Sequence, residues 1–372
     1  MKFFLVAFVF LLSLGQLQRI QLTNNLAFYL HDCLIVGFLL KELFTAIMQR
    51  KIIPKNLKKI SIFQKKIFWC FSITVFLSWI IAFLQGRFDY RAILYLSRIL
   101  AYLVFVFLLQ KQLKNKSWLW RLISFNILVF GFVQYLFLPD LRFLIYEGYD
   151  DHFYRLVSTI LDPAFTGLIF VFNLNYYLWQ KKKNWSVIVL FVIGLLLTYS
   201  RSSYLAFLLS SGVLLLIDKK VAKKAIFLIL TCFLLSLPFL PKQSGGDGVN
   251  LLRTTSVQAR VDNDQKIWQE IKGVQWLFGQ GLFIPAQSRQ VAKNIPNHSH
   301  FADNIFVFLI SNLGIVGSIS LILLVLETIK FGKKENIVLL TSLVSHAMFN
   351  NNLTQSFVIL IFLGLWLSKS QN

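Results

Sequence analysis

Long apolar segments make up most of the chain, and short polar or basic clusters separate them. A helix that crosses a bilayer core of about 30 Å needs about 20 apolar residues. By that criterion the pattern predicts about twelve transmembrane helices, at residues 3–19, 26–47, 67–85, 92–110, 118–138, 163–180, 186–200, 203–217, 223–240, 304–327, 336–350 and 353–369. Residues 186–217 are too long for one crossing, so we predict a tight hairpin at residues 200–203. The predicted fold class is an all-α polytopic membrane protein, with residues 1–372 forming a single integral membrane domain.

Composition supports membrane insertion over a soluble fold. Hydrophobic residues make up 56% of the 372 residues and charged residues only 15%, where soluble domains carry about 25% charged residues. Phenylalanine alone occurs 38 times. A soluble protein of this length would need a polar surface that these residues do not provide.

The net charge of +22 reflects membrane topology rather than nucleic-acid binding. A nucleic-acid site needs basic residues on one solvated surface, whereas here they form short clusters between apolar segments, at residues 50–66, 111–116, 181–183, 219–224 and 330–334. Lys and Arg concentrate in cytoplasmic loops. We therefore predict a multi-pass protein of the bacterial inner (cytoplasmic) membrane with both termini in the cytoplasm. The first apolar segment is also compatible with a signal peptide, but no clear cleavage site follows it, so we expect it to be retained.

Two connections on the predicted outer side are long, at residues 139–163 and 241–303. The second lies between spans 9 and 10 and is the one long polar stretch of the chain. Loops of this length usually carry function, so we predict the active site there. Within it we expect a helix at residues 262–272, capped by Asp262 or Asn263, with Ile267, Trp268 and Ile271 on one face.

The two sides of the membrane differ in their basic residues. The predicted cytoplasmic loops are rich in Lys, whereas the predicted outer side carries Arg19, Arg87, Arg91, Arg142, Arg155, Arg201, Arg253, Arg260 and Arg289. A guanidinium binds phosphate through two parallel hydrogen bonds. Arg201 has serines on both sides and lies next to two apolar segments. A charge at such a position is a functional candidate, and we predict an anion site there.

Several short motifs now occur in a recognisable order. They are the turn Thr-Tyr-Ser-Arg-Ser-Ser at residues 198–203, Ala259-Arg260 with Trp268 eight residues later, Leu-Phe-Gly-Gln-Gly at residues 277–281, His-Ser-His-Phe-Ala-Asp-Asn at residues 298–304, and Gly-Ile-Val-Gly at residues 314–317. Together, over about residues 190–325, they resemble the superfamily of O-antigen ligases and polymerases. These membrane enzymes move glycans from a polyprenyl-pyrophosphate carrier.

The resemblance implies which residues act on the pyrophosphate-linked sugar. Arg201 and Arg260 match the superfamily's loop arginines, and Arg253, Arg289, His298 and Asn304 are further candidates for substrate binding. The ligases typically have His-Asn eleven residues before the glycine of the next helix, where this chain has Asp303-Asn304. That departure favours a polysaccharide polymerase of an O-antigen, capsule or exopolysaccharide pathway over a ligase. It leaves two candidates for the general base: His300, which the ordinary pKa of histidine favours, and Asp303, which could instead orient His300.

The implied reaction transfers a glycan from the polyprenyl-pyrophosphate carrier to a hydroxyl of another lipid-linked repeat unit, without a nucleotide sugar. We expect no cofactor and no metal, because the spacing of Asp262 and Asp264 is better explained by a helix cap. The expected partners are the polyprenyl-pyrophosphate-linked oligosaccharide, membrane lipid, and a chain-length regulator and flippase of the same pathway. Two alternatives stay open. One is an O-antigen ligase that uses a lipid or protein anchor as acceptor, and the other is a non-enzymatic flippase, which would need charged sites near the bilayer midplane.

Overall fold

The structure is a computed structural model that describes residues 2–23, 26–49, 62–113, 117–147, 149–180, 183–217, 223–240, 247–286, 301–330 and 333–368. Helices dominate these ranges, as the apolar pattern predicts. In chain order they are α1 (Lys2–Ser13), α2 (Leu30–Met48), α3 (Ile62–Leu84), α4 (Arg91–Leu113), α5 (Trp118–Phe137), α6 (Pro163–Trp179), α7 (Trp185–Leu197), α8 (Arg201–Ile217), α9 (Lys223–Ser236), α10 (Thr255–Gln269), α11 (Gln275–Phe278), α12 (Ile305–Lys330), α13 (Lys334–Ala347) and α14 (Ser356–Leu367).

Four helical segments of the described chain are long and apolar enough to cross a membrane: Lys66–Leu84, Arg91–Leu113, Trp118–Phe137 and Ile305–Lys330. Shorter apolar helices accompany them at Lys2–Ser13, Trp185–Leu197, Arg201–Ile217, Ile226–Phe239 and Ser356–Leu367. The protein is therefore a helical, membrane-embedded chain. The count of twelve crossings stays a prediction.

The first two apolar segments differ from their prediction as uninterrupted helices. The first helix ends at Ser13, and the chain then forms an antiparallel hairpin of β1 (Arg19–Thr23) and β2 (Leu26–Tyr29) before α2 begins. Gly15 explains the break, because its φ is +52° and a Cβ there would lie 2.4 Å from the carbonyl oxygen of Thr159. A left-handed residue in close contact with another backbone cannot continue a helix.

The centre of the fold is α6, which packs against α5, α7, α8 and α13. Leu168, Phe170 and Phe172 of this helix are completely buried. Large apolar side chains on other helices, such as Phe83 and Leu216, are instead exposed. Exposed phenylalanine and leucine on helix surfaces are expected where lipid replaces water as the surrounding medium.

The apolar run 186–217 is broken, as predicted, but the break lies at residues 198–200 rather than 200–203. Helix α7 ends at Leu197 and α8 begins at Arg201. Tyr199, between them, has a φ of +51°. Few residues other than glycine adopt this conformation, and such residues are often found at functional sites.

A kink in α12 receives the Leu-Phe-Gly-Gln-Gly segment. Gly314 has φ 67° and ψ −176° inside α12. The carbonyl oxygens before the kink accept hydrogen bonds from outside the helix: Ser311 from the N–H of Gln280 (2.7 Å) and Asn312 from the N–H of Gly281 (3.2 Å). A Cβ on Gly279 would lie 2.3 Å from the Asn312 oxygen. The Leu-Phe-Gly-Gln-Gly segment (277–281) and the Gly-Ile-Val-Gly segment (314–317) therefore meet in one backbone junction. This junction fixes α10 and α11 beside α12.

Candidate active site

Arg201 joins the start of α8 to the chain that leads into α10. Its Nη1 donates to the carbonyl oxygens of Leu251 (3.2 Å) and Arg253 (2.7 Å), and its Nη2 donates to the Ser256 hydroxyl (3.2 Å). The Arg201 side chain therefore holds the segment 251–256 against the start of α8.

The serines around Arg201 are buried away from it. The Ser200 hydroxyl is hydrogen bonded to those of Ser202 (3.1 Å) and Ser203 (2.9 Å). Ser202 also accepts a hydrogen bond from the Asn350 amide at 2.7 Å, and Ser203 donates to the Ala164 carbonyl at 2.8 Å. These hydroxyls connect α8 to α6 and to the end of α13, and they do not add donors to an anion site at Arg201.

Two further arginines converge on the Tyr199 carbonyl oxygen. Arg253 donates to it from Nη2 at 3.4 Å, and Arg155 from its own Nη2 at 3.5 Å. Arg155 also donates from Nε to the Thr198 carbonyl at 3.1 Å. The Arg155 side chain is buried, and this burial, together with the positive charge of Arg253, lowers its pKa to about 9.

Arg260 and Asp303 face each other at the junction of α10 and α12. The Arg260 Nε lies 3.9 Å from the Asp303 Oδ1. The Asn263 amide donates to the Asp303 Oδ2 at 2.8 Å and to the Phe301 carbonyl at 3.0 Å. Asp303 is therefore held in place by α10, next to the guanidinium that the sequence predicts to bind pyrophosphate.

Asp264, one residue after Asn263, holds the N-terminus of α12. It accepts the backbone N–H of Asp303 at 2.7 Å and that of Asn304 at 3.2 Å. Burial raises its pKa to about 6, although these two N–H donors act in the opposite direction.

Asn304, predicted to bind substrate, caps α12 instead. Its Oδ1 accepts the N–H of Phe306 at 2.8 Å and that of Val307 at 3.4 Å, and its amide donates to the Met348 carbonyl at 2.9 Å. Side-chain oxygens commonly satisfy the first N–H groups of a helix in this way.

Four arginines lie around the junction of α8, α10 and α12. We call them the arginine cluster: Arg155, Arg201, Arg253 and Arg260. Arg253 and Arg260 both lie close enough to Arg155 for their charges to lower its pKa. Mutual repulsion of this kind disfavours the charged forms. An anion bound among the arginines would relieve it, so the arrangement suits a multiply charged anionic group.

The structure brings together part of the predicted site. Arg201, Arg253, Arg260, Asp303 and Asn304 lie around the junction of α8, α10 and α12, whereas Arg289, His298 and His300 lie outside the described residues. Sequence reasoning named Arg155 among the outer arginines, Asn263 as a possible helix cap and Asp264 as half of a carboxylate pair, but it placed none of them in the site. Arg155 lies about 45 residues before Arg201 in the sequence, and no local pattern distinguishes it from the other predicted outer arginines.

The helix predicted at residues 262–272 begins at Thr255 instead, so Asp262 and Asn263 are not its caps. Two residues apart on a helix, Asp262 and Asp264 point in directions about 200° apart. Asp262 accepts a hydrogen bond from Gln258 at 2.8 Å, whereas Asp264 binds the α12 N-terminus. These two carboxylates therefore do not converge on one metal ion.

Residues 186–322 match a family model described as O-antigen ligase. This part of the chain is therefore similar to the O-antigen ligase family. The match runs from α7 through most of α12, and so it includes Arg201, Arg253, Arg260 and Asp303. It confirms the resemblance to the O-antigen polymerase and ligase superfamily. No curated protein sequence matches the chain.

The O-antigen ligase family domain gives the site a chemical context. Proteins with this domain are membrane glycosyltransferase-like enzymes, either polymerases or ligases, that act in glycan assembly on a lipid-linked oligosaccharide. In this chain the matching region, residues 186–322, is part of a membrane-embedded helical protein. The residues around Arg260 and Asp303 are its candidate active site.

Proposed function

We propose that this protein is a polysaccharide polymerase. It would transfer a glycan from a polyprenyl-pyrophosphate carrier to a hydroxyl of a second lipid-linked repeat unit, at the outer face of the inner membrane. The observation that carries the proposal is the pairing of Arg260 with Asp303, 3.9 Å apart, beside the other members of the arginine cluster. This pairing puts a cation for the leaving group next to a carboxylate that can accept a proton.

The reaction demands stabilisation of a leaving pyrophosphate. The acceptor oxygen attacks the anomeric carbon of the donor sugar and forms the new glycosidic bond. The bond from that carbon to the phosphate oxygen breaks, and its electron pair leaves with the pyrophosphate. Fixed cations beside the developing negative charge stabilise such a transition state, and Arg260 and Arg201 would do so here.

The proton of the acceptor hydroxyl goes to a general base. In our proposal this base is His300 or Asp303. Asp303 lies within the described structure, where Asn263 and the backbone contact to Asp264 fix its position. A carboxylate so positioned either accepts the proton itself or orients His300.

A ligase is the second candidate, and the description of the matching family favours it. The reaction at the donor would be the same, and only the acceptor would differ. Asp303 stands where the superfamily's ligases typically carry histidine, and this difference is our reason for preferring the polymerase.

The test compares cells that express the wild-type chain, Arg201→Ala, Arg260→Ala or His300→Ala at matched membrane abundance. Arg142→Ala is the control, because Arg142 is an exposed arginine that pairs with Asp140 rather than with the site. A polymerase predicts surface glycan reduced to single repeat units in the three site variants and normal chain lengths in the control.

A ligase gives a different result in the same cells. Long chains would then persist on the carrier lipid and would not reach their final acceptor. If glycan length and attachment are unchanged in all three site variants, both enzymatic proposals are wrong.

A further inference from the structure

An open polar cavity lies at the far end of α10 from the loop that Arg201 binds. It has a volume of about 550 Å³ and lies between the end of α3, the end of α10 and the start of α11. Three cations line it, Arg87, Lys266 and Lys272, together with one carboxylate, Glu270, and three glutamine amides. None of these groups takes part in the proposed glycosyl transfer.

The cavity has an excess of positive charge. Burial lowers the pKa of Arg87, and the nearby negative charge of Glu270 opposes that shift. Glu270 thus offsets Arg87. Within the described part of the chain, the ammonium groups of Lys266 and Lys272 have neither a hydrogen-bond nor an ion-pair partner. Two cations therefore remain available to a ligand.

Two of the three glutamine amides of the cavity, those of Gln85 and Gln275, are ordered by contacts with each other and with neighbouring groups. The Gln275 amide donates to the Gln85 Oε1 at 2.8 Å, and the Gln275 Oε1 accepts the backbone N–H of Lys272 at 2.9 Å. The Gln85 Oε1 also accepts from Arg87 at 2.6 Å. Amides both donate and accept hydrogen bonds, so they suit hydroxyl-rich ligands, while the lysines suit carboxylates.

One face of α10 connects this cavity with the candidate active site. Three residues share one side of the helix because they are spaced three and four residues apart: Asn263, Lys266 and Glu270. Asn263 donates to Asp303 at 2.8 Å. At a rise of about 1.5 Å per residue, Lys266 lies about 4.5 Å and Glu270 about 10 Å further along the helix axis.

We propose that this cavity binds an acidic segment of the glycan on which the enzyme acts, recognising its carboxylates through Lys266 and Lys272 and its hydroxyls through the glutamines. The inference rests on the proposed function and extends it. It states that the substrate glycan carries acidic sugars, such as uronic acids. The sugar next to the pyrophosphate would lie at the arginine cluster, and a more distant acidic sugar would lie in the cavity.

The test measures the binding of a fluorescent hexagalacturonate to the purified full-length protein in nanodiscs of uncharged lipid. A neutral maltohexaose of equal length is the comparison ligand. Wild type is compared with Lys266→Ala, Lys272→Ala and the double variant, and Arg142→Ala is the charge-matched control away from the cavity.

We expect each lysine variant to bind hexagalacturonate about fivefold more weakly, the size of effect of one exposed charge pair. Binding should weaken further with added salt. Maltohexaose should bind more weakly than hexagalacturonate and be unaffected by the lysine changes, and Arg142→Ala should behave as wild type.

Three outcomes overturn the proposal: no binding by wild type, equal binding by the double variant, or equal binding of the neutral and acidic ligands. The probe contains neither a carrier lipid nor a pyrophosphate. A negative result would therefore reject the acidic subsite alone, whereas the proposed transfer is rejected by the chain-length comparison of the arginine variants.

Discussion

The Asp264 carboxylate accepts the backbone N–H of Asp303 at 2.7 Å, across the junction of α10 and α12. The same carboxylate accepts the N–H of Asn304 at 3.2 Å. One side chain of α10 thus holds the start of α12 in register, and with it the carboxylate that faces Arg260. The ionisation state of Asp264 is therefore linked to the stability of this junction.

We expect this link to appear as a pH-dependent difference in stability between wild type and Asp264→Asn. Burial raises the pKa of Asp264 to about 6. Because the pKa of Asp264 is higher in the folded protein than in the unfolded chain, its protonated form contributes to folding stability. This contribution is complete below the unfolded pKa, near 4, and is lost as pH rises through about 6. We expect a relative loss of about 1 kcal/mol, after allowing for solvent screening of the half-exposed group.

The measurement is the thermal midpoint of both proteins in detergent between pH 4 and pH 7. The asparagine variant does not titrate, so wild type should lose stability relative to it as pH rises from 4 to 7. A constant difference across this range would show that Asp264 does not titrate as the structure indicates.

We expect Asp303→Asn to slow glycosyl transfer by a factor of about 10² to 10⁴, the usual contribution of a general base. Asp262→Asn is the matched control, because that carboxylate is exposed and bonds Gln258 on the same helix. The measurement is transfer from a lipid-linked oligosaccharide by each purified variant. Equal rates for the two variants would exclude a role for Asp303 in the reaction.

Arg201→Lys should loosen the segment that leads into α10. Lysine cannot reproduce the hydrogen bonds of Arg201 to Leu251, Arg253 and Ser256. Each net hydrogen bond contributes about 0.5–1.5 kcal/mol, so local protection should fall by about 1–3 kcal/mol. Amide hydrogen exchange at residues 251–258 should then be about 5- to 150-fold faster. Arg142→Lys should leave these rates unchanged, and wild-type exchange rates in Arg201→Lys would contradict the expectation.

Local patterns in the sequence predicted the features that depend on local chemistry. The polar residues at 200–203 predicted a break between α7 and α8, which lies at residues 198–200, and motif order directed attention to Arg260 and Asp303. The β1–β2 hairpin was not predicted. It depends on Gly15 contacting Thr159, a residue far away in the sequence, and a run of apolar residues is compatible with either a strand or a helix.

The sequence also did not predict that Asp264 binds the N-terminus of α12, and the reason is similar. An acidic residue after a polar stretch is a common N-cap, and the sequence alone supports that interpretation. The helix instead begins at Thr255, so Asp264 falls in its middle and caps a different helix, forty residues later in the chain. Tertiary contacts decide which helix end a carboxylate satisfies, and local sequence does not contain them.

The backbone junction between Gly279 and Gly314 gives a final prediction. Gly279→Ala would put a Cβ 2.3 Å from the Asn312 carbonyl oxygen, at a residue whose φ is +80°. Strain and overlap together should destabilise the protein by about 2–4 kcal/mol. Gly212→Ala in α8 is the control, because nothing lies within 4 Å of its added Cβ, and alanine should stabilise that helix by about 0.5–1 kcal/mol. Thermal midpoints in detergent should therefore fall for Gly279→Ala and stay equal or rise for Gly212→Ala. Equal midpoints for Gly279→Ala and wild type would mean that the close contact at the kink of α12 does not exist.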